Sequence, residues 1–494
     1  MSFVFYDITF LVIFSIFLIV FLLRNRKNIK REGVLILYRT KVGLKLIEYF
    51  SKRYKKSIGY AEYIFIFLGY CLMLTAVYLI FKIVYLFFRF PEIIKIIKIP
   101  PVAPLIPYLP AIFKADYLPA FYFTYWIVVL AVTAIFHEFF HGIFAKSKGV
   151  DIKSTGFAFL GPFTAFFVEP DEKKVEKLKI KNQLSFVAAG SIANLMLTVF
   201  FFLVMLVFFM GFFVPSGAIF NTYTFTIINA SNITGLGNEN ISLKIDGFKN
   251  LTQVFIENKT YYIEGFEKPQ NTKPSKKDFD EISFGNRDYS KSSIENISDL
   301  ESSGLIIAYE DSPALKAGLR GVIVEFDSKK IRNNDEIRKS LETKKPGDIV
   351  KIKTIFNDSI EEYELELEER PDNETKAYLG VAFLKPESSG IIGKIREKII
   401  FFKDPNTYYK PRIFNDFIIF VYNLIWWLVF INFSVALGNM LPVGIADGGR
   451  FFYLTILGLT KNKKIAKKAF GWMTKLILLV FAFLMLLWFF GFFR

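Results

Sequence analysis

Six stretches of this chain are too long and too apolar to be the interior of a water-soluble fold: Ile8–Leu23, Tyr60–Phe90, Tyr117–Ala145, Leu184–Val214, Ile413–Leu437 and Phe470–Phe493. A helix of about 20 apolar residues crosses the hydrocarbon of a bilayer, where every backbone N–H and C=O must be satisfied within the segment. The runs therefore predict a polytopic α-helical membrane protein with about six transmembrane helices. Composition agrees, since 53% of the 494 residues are hydrophobic and 59 are Phe. The first run has neither a basic leader nor a small-residue cleavage site, so it reads as a span rather than a signal peptide.

Charge sets the expected orientation. Arg24, Arg26, Lys27, Lys30 and Arg31 follow the first span, Lys146, Lys148 and Lys153 the third, and Lys461, Lys463, Lys464, Lys467 and Lys468 the fifth. If the spans alternate, these loops share one side, which is then cytoplasmic, and both termini face outward. Lys394, Arg396, Lys398, Lys403 and Lys410 fall on the opposite side, where Ile391–Phe402 has the pattern of an interfacial amphipathic helix. The net charge of +16 thus points to anionic lipid as a partner. Nucleic acid is not expected, because none of its binding motifs is present. The single cysteine, Cys71, excludes an intramolecular disulfide and a thiolate metal cluster.

Residues 1–214 and 391–494 form two transmembrane regions around a polar stretch, 215–390. That stretch alternates like strands at Asp348–Ile355 and Glu361–Leu367. Asn229, Asn232, Asn240, Asn250, Asn258, Asn296, Asn357 and Asn373 each begin an Asn-x-Ser/Thr triplet, suiting an external domain, although an Asn-rich segment also yields such triplets by chance. Gly156–Val168 is apolar, too short to span, and broken by Gly161-Pro162, which predicts a membrane-inserted β-hairpin; Gly33–Gly43 is a weaker candidate of the same kind.

The only two histidines, His137 and His141, flank Glu138 in His-Glu-Phe-Phe-His within the third span. Residues four apart share a helix face, so both imidazoles face one metal ion, and Glu138 lies where a general base for an attacking water belongs. Ionisable groups inside a span are costly and mark function more often than a polar helix contact. A catalytic Zn2+ needs a third protein ligand. Asp447, in Gly438-Asn-Met-Leu-Pro-Val-Gly-Ile-Ala-Asp-Gly-Gly-Arg450, is the candidate, its alternative role being the N-cap of a helix over Gly448–Leu459.

With these residues the sequence resembles the site-2 protease family, in its PDZ-containing branch. His137–His141 matches the family's HExxH helix, Gly190-Ser-Ile-Ala-Asn194 its GxxxN signature, and Asn439-Met-Leu-Pro442 with Asp447-Gly448 its Asn-Pro-Asp-Gly motif. The resemblance implies zinc ligation by His137, His141 and Asp447, with Glu138 as base. It also implies that Asn439 contacts substrate or the oxyanion and that Asn194 supports the site. Read from the residues alone, Asn194 is equally polar glue between helices and Asn439 a loop residue. The hairpin resembles the family's membrane-inserted β element, which pairs with an unwound substrate strand. Asp311–Leu319 resembles a PDZ segment, so an inserted extracytoplasmic PDZ-like α/β domain is expected, although Gly321-Val-Ile-Val324 departs from that pattern. Ser242–Gln253 faintly echoes Val322–Glu336, as a degenerate second copy or an irregular insertion. The implied function is intramembrane zinc proteolysis of single-pass substrates already trimmed elsewhere. A metal transporter or a non-catalytic scaffold using the same side chains is the alternative.

Overall fold

The computed structural model describes residues 3–26, 29–33, 35–91, 93–115, 117–160, 163–229, 232–241, 251–256, 259–264, 305–357, 359–370, 373–384, 402–444 and 446–492. Among them six helices are long and apolar enough to cross a membrane: α1 (Phe3–Arg24), α3 (Lys55–Arg89), α6 (Phe123–Ser147), α8 (Ile180–Phe212), α11 (Asn415–Asn439) and α13 (Lys463–Phe492). Shorter helices are α2 (Leu44–Arg53), α4 (Ile93–Ile97), α5 (Leu109–Ile112), α7 (Glu172–Glu176), α9 (Pro313–Lys316), α10 (Asn334–Leu341) and α12 (Asp447–Thr460). The chain is a polytopic helical membrane protein, and each long helix overlaps one of the apolar runs. Differences lie at the ends. Helices α3 and α13 begin in Lys-bearing turns, because helical backbone stays satisfied through the headgroup layer, where Lys can snorkel. Helix α6 begins at Phe123 rather than Tyr117, past Pro119, which biases its neighbour away from helix.

The chain divides into two compact units, one of Met1–Phe208 with Ile419–Arg494 and one of Phe209–Ile418. In the first, Phe65 and Leu72 of α3, Phe144 of α6, Val187 and Ala188 of α8, Met440, and Phe451 of α12 share one buried cluster. The helices pack closely where side chains are small. Ala188, Ala189 and Ala193 on α8 are at most 1% exposed.

A four-stranded antiparallel sheet belongs to this unit, ordered β1 (Ile29–Glu32), β2 (Leu35–Thr40), β3 (Ile152–Leu160), β4 (Phe163–Pro170). The Gly156–Val168 stretch lies in the β3–β4 pair, with Gly156 opposite Phe167; the turn at 161–162 is outside the described residues. A Cβ on Gly156 would stand 2.2 Å from the Tyr38 carbonyl oxygen, which explains glycine there. Gly33–Gly43 contributes a strand to the same sheet as the β3–β4 pair. Its residues form β2, which pairs with β3 from Ile36 opposite Phe159 to Thr40 opposite Thr155. On its other side β2 pairs with β1, from Glu32 opposite Leu35 to Ile29 opposite Tyr38.

In the second unit, β15 (Ser359–Glu366), β14 (Ile349–Phe356), β12 (Val322–Phe326), β5 (Phe213–Ile219) and β19 (Thr407–Pro411) form one sheet in that order, with β13 (Lys329–Lys330) beside β12. The two strands read from alternation are β14 and β15. Ile323, Phe326, Ile337 of α10, Val350 and Ile352 fill the core behind them. A five-stranded sheet follows the order β7 (Phe225–Asn229), β11 (Leu305–Glu310), β10 (Lys259–Glu264), β9 (Leu251–Ile256), β8 (Gly235–Ile241). Short ladders pair β16 (Glu368–Arg370) with β17 (Asn373–Tyr378) and β18 (Val381–Ala382) with β6 (Thr222–Tyr223). The proposed interfacial helix before Phe402 and most of the echo after Ser242 lie outside the described residues.

Candidate metal centre

Helix α6 presents His137 and His141 one turn apart on its inner face, 8% and 9% exposed. The Nδ1 of His141 donates to the Phe186 carbonyl on α8 at 2.8 Å, which leaves its Nε2 lone pair free. The two Nε2 atoms stand 3.2 Å apart. Asp447 Oδ2 lies 3.1 Å from Nε2 of His137 and 3.2 Å from Nε2 of His141. The three atoms thus form a nearly equilateral triangle. Ligands at about 2.0–2.1 Å from a tetrahedral zinc are separated by about 3.3 Å, so the triangle has the size of one face of such a site.

Three further observations bear on whether the residues suit a metal. A Cβ on Gly190 of α8 would lie 2.4 Å from His141 Nε2 and 2.5 Å from His137 Nε2, so glycine alone leaves that space open. The Asn194 amide stands 3.0 Å from His137 Nδ1 by its Nδ2, while its own Oδ1 is buried without a partner. A metal on Nε2 puts the ring proton on Nδ1; turning the amide over then lets Oδ1 accept it, which gives that proton its acceptor. Finally, two imidazoles and one carboxylate, with no thiolate, are a usual donor set for catalytic zinc. The residues fit the ion.

Local sequence explains how Asp447 arrives. Pro442 cannot continue α11, which ends at Asn439, and the chain turns through Leu441–Gly444 before α12 starts at Asp447. A Cβ on Gly448 would meet the Met440 carbonyl carbon at 2.2 Å, and one on Gly449 the Val443 oxygen at 2.2 Å. The paired glycines therefore let the first turn of α12 press against the loop backbone. The N-cap position belongs to Ala446, with no side-chain cap bond, and the Asp447 carboxylate is directed to the imidazoles instead.

Glu138 is half-buried, and its Oε2 accepts the Val168 N–H of β4 at 3.1 Å. β4 is an edge of the sheet, so this carboxylate lies beside the edge strand as well as beside the histidines. Asn439 ends α11, half-buried; among the described residues, none of the hydrogen bonds holding the three ligating groups involves it. Arg450, one turn past Asp447, pairs with Glu172 at 3.1 Å and lies over the Phe186 ring. The reading of the sequence missed the roles of Gly190, Phe186 and Val168. Only Gly190 had a signal, as the first residue of the Gly190–Asn194 motif.

Fold and site together define a multi-pass membrane protein with a His-His-Asp centre of metallopeptidase type. The sequence profile described as peptidase family M50 matches residues 125–384, more than half of the chain. The chain belongs to this family of membrane zinc metalloproteases, the site-2 protease family. A curated relative, an uncharacterized protein of Methanocaldococcus jannaschii, is 30% identical over 191 residues, covering 37% of this chain and 46% of the relative. The chain thus spans about half the length of the relative it matches.

Proposed function

We propose that this protein is an intramembrane zinc endopeptidase that hydrolyses peptide bonds in the spanning segments of other membrane proteins. The observation that carries this reading is the triangle of His137, His141 and Asp447, with Glu138 on the same helix turn. His137, His141 and Asp447 hold the ion, which when bound supplies Lewis acidity. Glu138 takes the proton of the attacking water. Asn194 fixes the His137 ring and the Phe186 carbonyl fixes that of His141, so neither ring turns away during turnover. Asn439 contacts the substrate backbone or the developing oxyanion.

A helix hides its carbonyls in hydrogen bonds, so the substrate segment must unwind before it is cut. Among the described strands none pairs with the outer edge of β4, which offers main-chain groups to an unwound strand, and its Val168 N–H touches Glu138, which supports pairing beside the base. In this reading the β3–β4 pair is inserted in the membrane and the active site opens toward the cytoplasmic leaflet of the cell membrane. Both termini are then outside, and residues 215–390 form an external, PDZ-like domain that screens substrates. The substrates are single-pass proteins already trimmed by another protease.

Purified protein in detergent or vesicles, given a model spanning peptide, tests the reading. Glu138→Gln retains zinc and loses about 10²- to 10⁴-fold in cleavage rate. Equal, chelator-insensitive rates for both proteins would refute it.

A further inference from the structure

Helix α2 has no part in the chemistry above. Its ten residues, Leu44–Arg53, are followed by Tyr54 and then at once by α3, a candidate span that starts with Lys55 and Lys56. Covalent connection therefore keeps α2 at the level where α3 enters the bilayer. One face of α2 packs on the metal-bearing helix. A Cβ on Gly142 of α6 would meet Ile47 Cδ1 at 2.9 Å, and the Phe50 ring meets that of Phe139 edge-on at 5.8 Å. Ile47 and Ser51 are buried there.

The other faces are divided by chemistry. Leu46 and Tyr49, three residues apart on one stripe, are 56% and 58% exposed, and Val42 just before the helix is 75% exposed. Lys45, Glu48 and Lys52 form a separate exposed arc, in which Lys52 pairs with Glu48 at 2.7 Å. Arg53, Lys55 and Lys56 add exposed cations at the end nearest the span. Two large side chains left open beside a row of cations, at the depth of the headgroups, suit the boundary of an anionic bilayer.

We propose that α2 lies in the plane of the membrane surface, with Leu46 and Tyr49 among acyl chains and Lys45, Lys52 and Arg53 on anionic headgroups, and that it thereby seats the metal helix at its depth. Because α2 touches α6 at Phe139 and Gly142, next to His137 and His141, lipid that draws α2 into the surface also braces the ligand-bearing turn. This inference stands apart from peptidase activity.

Spin labels test it. In full-length protein lacking the native thiol (Cys71→Ala), single cysteines are placed at Leu46→Cys, Tyr49→Cys and Glu48→Cys. All three positions are exposed, so folding is not challenged. The protein is reconstituted in phosphatidylcholine vesicles with and without phosphatidylglycerol. Labels at 46 and 49 are expected to collide with oxygen dissolved in the bilayer and the label at 48 with a water-soluble nickel complex. Phosphatidylglycerol deepens the first two, and Lys45→Gln, Lys52→Gln and Arg53→Gln together remove that response. If all three labels are equally open to the nickel complex in lipid alone, the stripe is kept for a protein partner and the proposal fails. If depth ignores phosphatidylglycerol, or the triple variant still responds, the charge recognition fails.

Discussion

At the scale of single residues, the site depends on what is missing as much as on what is present. Gly190 leaves the space in which two imidazoles face one another, because a single methyl there would stand 2.4 Å from His141 Nε2. Gly190→Ala is accordingly expected to empty the site while the helices stay apolar and folded, a change seen by metal analysis beside an unaltered circular-dichroism spectrum. A variant that keeps its full zinc content would show that the backbone gives way. Asn194→Ala leaves the His137 ring unrestrained and should weaken zinc binding by about 10- to 100-fold, measured by competition with a chelating dye. That the two imidazoles face one another was legible in the sequence, because two histidines four residues apart on one helix share a face. Gly190 was legible only as a motif member, since its function lies in contacts to a helix some fifty residues earlier in the chain.

At the scale of elements, the spans were legible because the bilayer enforces one period and one length. What lay between them was not. Asp7, just before the apolar run that begins at Ile8, is 1% exposed and reaches from α1 to the start of α6. Its carboxylate accepts the N–H groups of Phe123 and Thr124 at 2.7 and 2.9 Å, the Thr124 hydroxyl at 2.6 Å and the Tyr108 hydroxyl at 2.5 Å. Tyr122, the N-cap residue of α6, offers no side-chain cap, so Asp7 of another helix satisfies the orphan donors. Asp7→Ala should cost about 1–3 kcal/mol of stability, seen as a lowered melting temperature in detergent. An unchanged melt would mean that water replaces the carboxylate. Counting apolar residues stops at an acid and so passed over this clasp, just as it passed over the short strand β1.

At the scale of the whole molecule, two compact units are joined in one chain. The span-bearing unit, Met1–Phe208 with Ile419–Arg494, is built mainly of helices, whereas Phe209–Ile418 is built mainly of strands. One half-buried cluster in Phe209–Ile418 makes that unit sensitive to acid. Arg320 donates to both carboxylate oxygens of Glu361, at 2.9 and 2.5 Å, and the Tyr363 hydroxyl donates at 2.6 Å. These bonds, those of Arg320 foremost, lower the Glu361 carboxyl from an ordinary 4.5 to about 2. Because the folded value lies below the unfolded one, the stabilisation is complete above about 4.5 and is lost as pH falls through about 2. The melting gap between wild type and Glu361→Gln should therefore close across that range, and a gap independent of pH would deny the carboxylate its part.

The central claim is that side chains from two stretches of chain some three hundred residues apart hold one ion. Zinc-edge X-ray absorption of the purified protein, with metal content of wild type and Asp447→Ala, tests it most directly. The expected result is about one zinc per chain, with two imidazole nitrogens and at least one carboxylate oxygen at about 2.0–2.2 Å, and a sharp fall in zinc when Asp447 is removed. Full zinc occupancy in Asp447→Ala with an unaltered absorption spectrum would contradict the account.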